Sequence, residues 1–339
     1  MRWEDVQGQD RAVRALRSAL EREQVHHAYL LSGPEGVGKE KLARVFAQAA
    51  NCEVADAASR PCGKCSHCVG IERGNFPDVM TVLPQADAIA RGMFSKADLE
   101  GAPSKDIRVD EVRALAKRLS FTALRGRRKI AILTPADAMN ERAQNALLKT
   151  LEEPPPATTF LLVSANSDAL LPTIRSRCAR VQLGPVPEEV LAARLRADGV
   201  APAEAAERAA RAQGSFSRAL ASTVEVSGLV QDVERALSAA DERGVLDWAE
   251  QHGERDDALS AAEAVQAWTR DLLVVQAGAH PELRDLAGLA GEVAARVRPE
   301  ALLAQAQLCS EVVEALIQNG NGRLQLERLL LRSRELRHG

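Results

Sequence analysis

A glycine-rich loop carries the first residues whose spacing predicts chemistry. Gly33, Gly38 and Lys39 fit the pattern G-x-x-x-x-G-K, with a further glycine at Gly36, between a short apolar strand and a helical pattern. In such loops backbone N–H groups face phosphate oxygens, and the lysine reaches the β- and γ-phosphates. The hydroxyl residue that would bind Mg²⁺ is replaced by Glu40. The segment predicts a phosphate-loop fold, but Glu40 argues against productive binding of MgATP.

A second nucleotide-binding element is expected where a core strand ends, because P-loop ATPases place acidic residues there to hold Mg²⁺ and orient water. The candidate strand, residues 129–133, ends in Thr134-Pro135 instead of paired acids. Asp137 follows two residues later, where we expect it to cap the next turn. The missing acids and Glu40 together predict a site that does not hydrolyse ATP.

Four cysteines predict a metal centre. Cys52, Cys62, Cys65 and Cys68 have the spacing C-x9-C-x2-C-x2-C. Closely spaced cysteine pairs suit tetrahedral zinc, and four thiolates leave no open position for water, so the ion would be structural. An iron–sulfur cluster or reduced thiols are the alternatives. His67 lies between two of the cysteines and could replace one as a ligand, but we expect it to face solvent.

Two arginines lie just before the last predicted strand, at Arg175 and Arg177. Composition alone favours a solvated edge for both. The alternative is an arginine that completes the phosphate site of a neighbouring subunit, where a guanidinium stabilises transferring phosphoryl charge.

The elements that must position these residues alternate between strands and helices, which implies a parallel sheet covered on both faces. Proline residues at 154–156 end one of the helices. The predicted helices cover residues 9–22, 109–119 and 141–151, with another after the glycine loop and a helix-like segment containing Pro172, and the predicted strands cover 28–31, 79–83, 129–133, 159–164 and 180–183.

The remaining segments differ in composition. Residues 84–105 show no clear periodicity and are predicted to be a loop or an insertion. From residue 188 the pattern is almost wholly helical: a small bundle over 188–224, a hinge at Gly228, and four or five amphipathic helices over 230–337. The last helical segment contains five leucines that cannot all be buried within one short helix pair: Leu324, Leu326, Leu329, Leu330 and Leu336. We therefore expect some of these leucines to face another subunit.

Composition excludes several classes of protein. The 339 residues predict two or three domains. A net charge of −3 and an aromatic content of 3% disfavour nucleic-acid binding through bulk charge or base stacking. No apolar run approaches the ~20 residues of a membrane span, and the N-terminus lacks an apolar signal core. We therefore expect a cytoplasmic protein whose cysteines are metal ligands or core thiols rather than disulfides.

Taken together, these motifs resemble the delta-prime and gamma/tau subunits of the bacterial DNA polymerase III clamp loader. The resemblance spans the whole chain, and its most specific part is N-A-L-L-K-T-L-E-E-P-P at 145–155. The other matching segments are the four-cysteine insert after the P-loop helix, S-R-C at 176–178, V-Q-G-Q at 6–9, H-A-Y-L at 27–30 and D-I-R-V-D at 106–110.

The resemblance implies three domains. The first is an AAA+ α/β domain over 1–183, with a zinc module at about 50–80 inside it. A small helical lid over 184–226 and an all-α collar over 230–339 follow. The collar would pack into a five-subunit ring with gamma/tau and delta subunits, and the ring would act on the sliding clamp and primer-template DNA.

Within this family, Glu40 and Thr134-Pro135 favour the delta-prime type, an accessory subunit of the DNA polymerase with no ATPase activity of its own. The resemblance then assigns Arg177 to ATP held by the adjacent subunit. Arg218 stands one place later than the sensor arginine of the ATPase subunits, so that role is not transferred. The alternatives are a gamma/tau-like P-loop ATPase and a zinc-dependent nucleic-acid-binding protein.

Overall fold

The computed structural model divides the chain into two compact units, Met1–Leu220 and Ala221–Gly339. Among the residues it describes, no helix combines the length and the apolar character that crossing a membrane requires. The described residues are 1–93, 103–220, 223–238, 242–253, 255–317 and 320–338.

A five-stranded parallel sheet forms the centre of the first unit, in the order β2-β3-β4-β1-β5. In register, Leu30 of β1, which lies between β4 and the edge strand β5, pairs with Leu162 on one side and Arg180 on the other. The parallel sheet predicted from the sequence is confirmed. Its strands are β1 (Ala28–Ser32), β2 (Val79–Val82), β3 (Lys129–Leu133), β4 (Thr158–Ser164) and β5 (Ala179–Gln182).

Helices cover both faces of this sheet, which is why its central strands are apolar at consecutive positions. Leu30 belongs to the core cluster on one face and Leu31 to the cluster on the other. The helices packed around the strands are α1 (Asp10–Glu21), α2 (Lys39–Asn51), α3 (Ser66–Glu72), α4 (Gln85–Ala90), α5 (Val109–Leu119), α6 (Glu141–Glu152) and α7 (Pro172–Arg177).

Three more helices complete the first unit: α8 (Glu188–Ala197), α9 (Pro202–Arg211) and α10 (Phe216–Leu220). Leu191 and Ala209 lie in the same buried cluster as Phe46 of α2. The Gln9 side-chain amide donates to Gly184 O at 2.8 Å, which ties the start of the chain to the segment that leads into α8.

Every regular element among the described residues of the second unit is a helix. The buried centre of this unit includes Trp268, whose indole N–H donates to Glu234 at 2.6 Å. The helices are α11 (Thr223–Ser238), α12 (Arg243–Gln251), α13 (Arg255–Gln276), α14 (Ala287–Ala294), α15 (Pro299–Ile317) and α16 (Gly322–His338). The predicted hinge at Gly228 is wrong, because Gly228 lies inside α11. One glycine costs a helix about 1 kcal/mol, and burial of nearby Val230 and Val233 offsets that cost.

One further sequence prediction needs correction, and the expectation that some C-terminal leucines face another subunit stays a prediction. Residues 84–105 are not wholly a loop, because α4 forms there and buries Ala88; one and a half turns are too short to show helical periodicity in the sequence. Residues 94–102 of the same segment lie outside the described residues. Of the C-terminal leucines, Leu326, Leu329 and Leu330 are buried within the second unit, whereas Leu324 is 61% exposed.

Candidate functional site

The glycine loop lies between β1 and α2, as the sequence predicts, and its glycines permit two close backbone approaches. Gly33 has a φ of 151°, and a side chain there would come within 2.2 Å of Leu183 O. Gly36 has a φ of 74°, and a side chain there would come within 2.1 Å of the Ser215 hydroxyl. The backbone N–H of Phe216 donates to Gly36 O at 2.9 Å. The start of α10 thus packs directly on the glycine loop.

Lys39, the phosphate-contacting residue in the motif, is buried and hydrogen-bonded within its own loop. Its Nζ donates to Gly33 O at 2.8 Å and to Pro34 O at 2.5 Å. Burial lowers the pKa of Lys39, and the nearby charges of Glu35 and Asp137 oppose that shift. The lysine therefore stabilises the loop by bonding two carbonyl oxygens that would otherwise lack a buried partner.

Glu40 occupies the motif position of the Mg²⁺-binding hydroxyl and is held by two arginines. Arg91, just after α4, makes two contacts with its carboxylate at 2.6 and 3.1 Å, and Arg44 donates from the next turn of α2 at 2.7 Å. Burial would raise the pKa of Glu40, but the hydrogen bond and charge of Arg91, with the charge of Arg44, lower it overall. The carboxylate is therefore ionised and already neutralised by protein groups.

Thr134 and Pro135 follow Leu133 directly at the end of β3, as the sequence indicates, and the first carboxylate after the strand, Asp137, lies near enough to Lys39 to act on its pKa. The prediction that Asp137 caps the next turn is wrong. Asp137 lies inside a short 3-10 turn, and its Oδ1 accepts from the backbone N–H of Ala165 at 3.3 Å, beyond the end of β4. The partner of Asp137 follows a neighbouring strand of the sheet, so the residues close to Asp137 in the sequence do not predict this hydrogen bond.

The four cysteines lie close together just beyond the C-terminal end of α2, where Cys52 follows the last helical residue. Their Sγ atoms all lie within 4.8 Å of one another, and those of Cys52 and Cys65 are 4.0 Å apart. Sulfurs at 2.3 Å from a tetrahedral zinc ion would be about 3.8 Å apart, so the group fits a metal ion. Cys178 and Cys309 lie in apolar cores away from this group, and none of the six cysteines, all of which are described, forms a disulfide.

Backbone N–H groups point at the sulfurs and favour their thiolate forms. The N–H of Cys62 donates to the Cys52 sulfur at 3.4 Å, that of Cys65 to the Cys62 sulfur at 3.3 Å, and that of Cys68 to the Cys65 sulfur at 3.4 Å. The backbone N–H of Lys64 lowers the pKa of Cys62 to about 6, whereas burial raises the pKa of Cys52 and Cys68. Such N–H···S contacts are the outer support that metal-binding thiolates use.

His67 does not complete the cysteine group, and the prediction that it faces solvent is wrong. Its Nδ1 lies 2.8 Å from Asn51 O, its Nε2 lies 3.4 Å from a Glu53 oxygen, and its ring packs on Phe76. Only 15% of the side chain is exposed. The imidazole connects α3 to the end of α2, and its hydrophobic face finds an aromatic partner that lies beyond α3.

Arg177 of the S-R-C segment and Arg175, just before that segment, each have a carboxylate partner. Arg177, at the end of α7, donates to Glu152 at 2.6 Å and to Thr173 O at 3.0 Å, and its side chain remains 35% exposed. Arg175 pairs with Asp168. The two arginines are therefore more ordered than a solvated edge, and Arg177 lies at the surface where an external anion could reach it. Arg218 bonds Gln213 at 3.2 Å.

Two participants were missed by sequence reasoning, Arg91 and Glu152. Arg91 follows a short helix in a segment predicted to be a loop, so no pattern connects it with Glu40, which lies 51 positions away. In the sequence, Glu152 is one residue of the N-A-L-L-K-T-L-E-E-P-P segment, and no local pattern connects it with Arg177. Its position offered a signal, because a carboxylate at the C-terminal end of a helix opposes the helix dipole and calls for a nearby cation.

The parallel α/β unit, with a glycine loop between β1 and α2, defines a P-loop class of fold. Comparison with known sequences specifies the family. Residues 8–187 match the family described as "DNA polymerase III, delta subunit". This match covers more than half of the chain, which therefore belongs to that family, the AAA+ clamp-loader subunits of DNA polymerase III.

Individual relatives agree with this assignment. The chain is 42% identical over 166 residues to the DNA polymerase III subunit delta' of Pseudomonas aeruginosa, covering 49% of this chain and 45% of that protein. It is 30% identical over 226 residues to the delta' subunit of Bacillus subtilis, covering 66% and 61%. The tau/gamma subunit of Haemophilus influenzae is 36% identical over 191 residues, covering 56% of this chain and 25% of that protein. The matched segments thus span between a quarter and about three fifths of these relatives.

One solved structure has a similar fold across almost the whole chain. A DNA polymerase III gamma subunit-related protein from Thermotoga maritima covers 97% of this chain and 100% of its own, with a TM-score of 0.52 and 18% sequence identity. At 18% sequence identity, this similarity applies to the fold alone.

Proposed function

We propose that this chain is a delta-prime-type, non-hydrolysing subunit of the DNA polymerase III clamp loader. In this proposal it joins gamma/tau and delta subunits in a five-subunit ring that uses ATP to load the sliding clamp onto primer-template DNA in the cytoplasm. The observation that carries the proposal is the Glu40–Arg91 contact at the position where an active P-loop would hold Mg²⁺.

The chemistry of phosphoryl transfer supports a non-hydrolysing site. Metal ions bridge and neutralise the phosphates in P-loop ATPases, and they are held by the loop hydroxyl and a strand-end acid. Here Glu40 is neutralised by arginines, and Thr134-Pro135 follows β3. Lys39 bonds its own loop. We therefore assign the glycine loop a structural role, through Gly33, Gly36, Gly38 and Lys39. The proposal does not include binding of ATP or ADP by this loop.

The chemical contribution of the chain would come from Arg177, acting on ATP bound by the adjacent subunit. Its guanidinium is ordered and partly exposed, which suits an arginine supplied in trans. Such arginines stabilise charge on the transferring phosphoryl group. The chain would therefore assist a reaction at a neighbouring site without carrying out one of its own.

The proposal includes a structural Zn²⁺ ion held by Cys52, Cys62, Cys65 and Cys68. Four thiolate ligands would close the coordination sphere and leave no site for a reacting water. The chain packs around this group, because the Trp3 indole N–H donates to Arg60 O at 2.8 Å. The ion would stabilise the insert and, through it, the start of the chain. The proposal also assigns 1–183 to the AAA+ domain, 184–226 to the lid and 230–339 to the collar; the second of these boundaries falls within α11, whereas the two compact units divide between Leu220 and Ala221.

Reconstitution tests the role of Arg177. Clamp-loader complexes containing wild-type, Arg177→Ala or Arg177→Lys chain would be compared for ATP turnover in the presence of clamp and primed DNA. Loss of an arginine finger costs about 10³- to 10⁵-fold at the affected site. Total turnover should fall by less, because other sites keep their own arginines. Lysine should restore little, since it lacks the planar guanidinium.

Two controls keep this test specific. Arg180→Ala removes an exposed arginine from β5 in the same region and should leave turnover unchanged. Gel filtration should show that Arg177→Ala still enters the complex. Equal turnover of the wild-type and Arg177→Ala complexes would refute the proposed role of Arg177. ATP hydrolysis by the isolated chain, abolished by Lys39→Ala, would instead favour a gamma/tau-like ATPase.

A further inference from the structure

The contact between Arg177 and Glu152 joins the S-R-C segment to the helix of the N-A-L-L-K-T-L-E-E-P-P signature. Glu152 is the last residue of α6, where a carboxylate lies near the negative end of the helix dipole. Helix stability alone would favour a cation at this position. The nearby Arg177 guanidinium, 2.6 Å from the carboxylate, gives the unfavourable charge a partner.

Both members of the pair stand on rigid supports. Leu151, next to Glu152, is 2% exposed, and Ile174 and Cys178 on either side of Arg177 are 0% and 8% exposed. All three belong to the same buried cluster beneath the sheet. The backbone segments that carry Glu152 and Arg177 are therefore held at a fixed separation. The ion pair with Glu152 then orients the Arg177 side chain.

The guanidinium of Arg177 has N–H donors that its contacts with Glu152 and Thr173 O do not use. Two of its five N–H groups donate to Glu152 and to Thr173 O. The side chain is 35% exposed, so it can also reach an anion outside the chain. A planar guanidinium held by hydrogen bonds from both Nη1 and Nη2 presents its remaining N–H groups in a defined direction, which reduces the orientational freedom lost when it binds phosphate.

We propose that Glu152 is a positioning residue that holds Arg177 in the orientation required for the γ-phosphate in the adjacent subunit. This inference rests on the proposed function, since it needs Arg177 to act in trans. Glu152 itself would touch neither ATP nor the reacting atoms. Its effect would reach the reaction through the orientation of one guanidinium.

A double-mutant cycle in the reconstituted loader tests this role. Turnover with clamp and primed DNA would be measured for Glu152→Gln, Arg177→Ala and the double variant, with Glu153→Gln as the matched control. Glu153 is the adjacent exposed glutamate, beyond the end of α6. Because exposed ion pairs couple weakly, Glu152→Gln should lower kcat by about two- to fivefold and leave KM for ATP unchanged. Glu153→Gln should match wild type.

The decisive result is the effect of Glu152→Gln when Arg177 is already alanine. Positioning through Arg177 predicts no further loss of turnover in the double variant. A further loss there, or a rise in turnover for Glu152→Gln alone, would overturn the positioning role.

If Arg177→Ala slows turnover and Glu152→Gln does not, the positioning role fails while the proposed function stands. If Arg177→Ala itself has no effect, the proposed role in trans fails and this inference fails with it. The two failures are therefore distinguishable within one set of measurements.

Discussion

Replacing Lys39 with alanine is expected to weaken the fold but not the activity of the assembled loader. The ammonium donates to two loop carbonyls at 2.8 and 2.5 Å and is only 8% exposed. Hydrogen bonds to charged groups contribute about 1.5–3 kcal/mol, and the desolvation that lowers the pKa of Lys39 offsets part of this gain. We therefore expect Lys39→Ala to lower the free energy of unfolding by about 2 kcal/mol.

The expected shift in melting temperature is about 4–8 °C for a unit of this size. Lys41→Ala, two positions along the same helix and more exposed, is the control and should shift melting little. Thermal unfolding monitored by circular dichroism gives the stability, and reconstituted loader gives ATP turnover. In an active P-loop the same change would remove a phosphate contact needed for turnover. Normal melting together with lost turnover would show that Lys39 binds nucleotide, and would refute the structural role.

Two further predictions follow from the cysteine group and from Asp78. Metal analysis should find about one zinc ion per wild-type chain. The ion should be lost in a Cys62→Ser/Cys65→Ser variant and kept in the control variant Cys309→Ser, and equal metal content in the wild-type protein and both variants would contradict the proposed site. The Asp78 carboxylate accepts hydrogen bonds from the backbone N–H groups of residues 124–126 at 2.6–2.8 Å. Burial alone would raise the pKa of Asp78, but these hydrogen bonds outweigh burial and lower the pKa below its ordinary value of 3.8. Its contribution should therefore be present above pH 3.8 and lost as pH falls through the lower folded value. Asp78→Asn should destabilise by about 2 kcal/mol at pH 7 and match wild type in strong acid, and a difference that persists in acid would refute the ionic role.

Short-range patterns in the sequence predict most of the fold and part of the site. Alternating apolar strands and amphipathic helices specify the parallel sheet because each pattern reflects which faces are buried. The glycine loop and the C-x2-C pairs are also legible in the sequence, since the loop requires particular residues at fixed spacing and nearby cysteines converge by local geometry. The replacement of the hydroxyl residue by Glu40 is equally local. These features together indicated a P-loop fold, a cysteine site and an altered nucleotide loop.

Tertiary structure alone decided which partners these residues have. Glu40 meets Arg91 from 51 positions away, and Arg177 meets Glu152 from 25 positions away. The same is true of His67, which the sequence placed in solvent but which packs on Phe76, and of Asp137, which bonds the end of a neighbouring strand. The spacing of residues along the chain predicts the helix or strand to which each side chain belongs. Its hydrogen-bond or ion-pair partner depends instead on how the parallel sheet arranges the elements in space. That order is set by packing of the whole unit, so no local pattern records it.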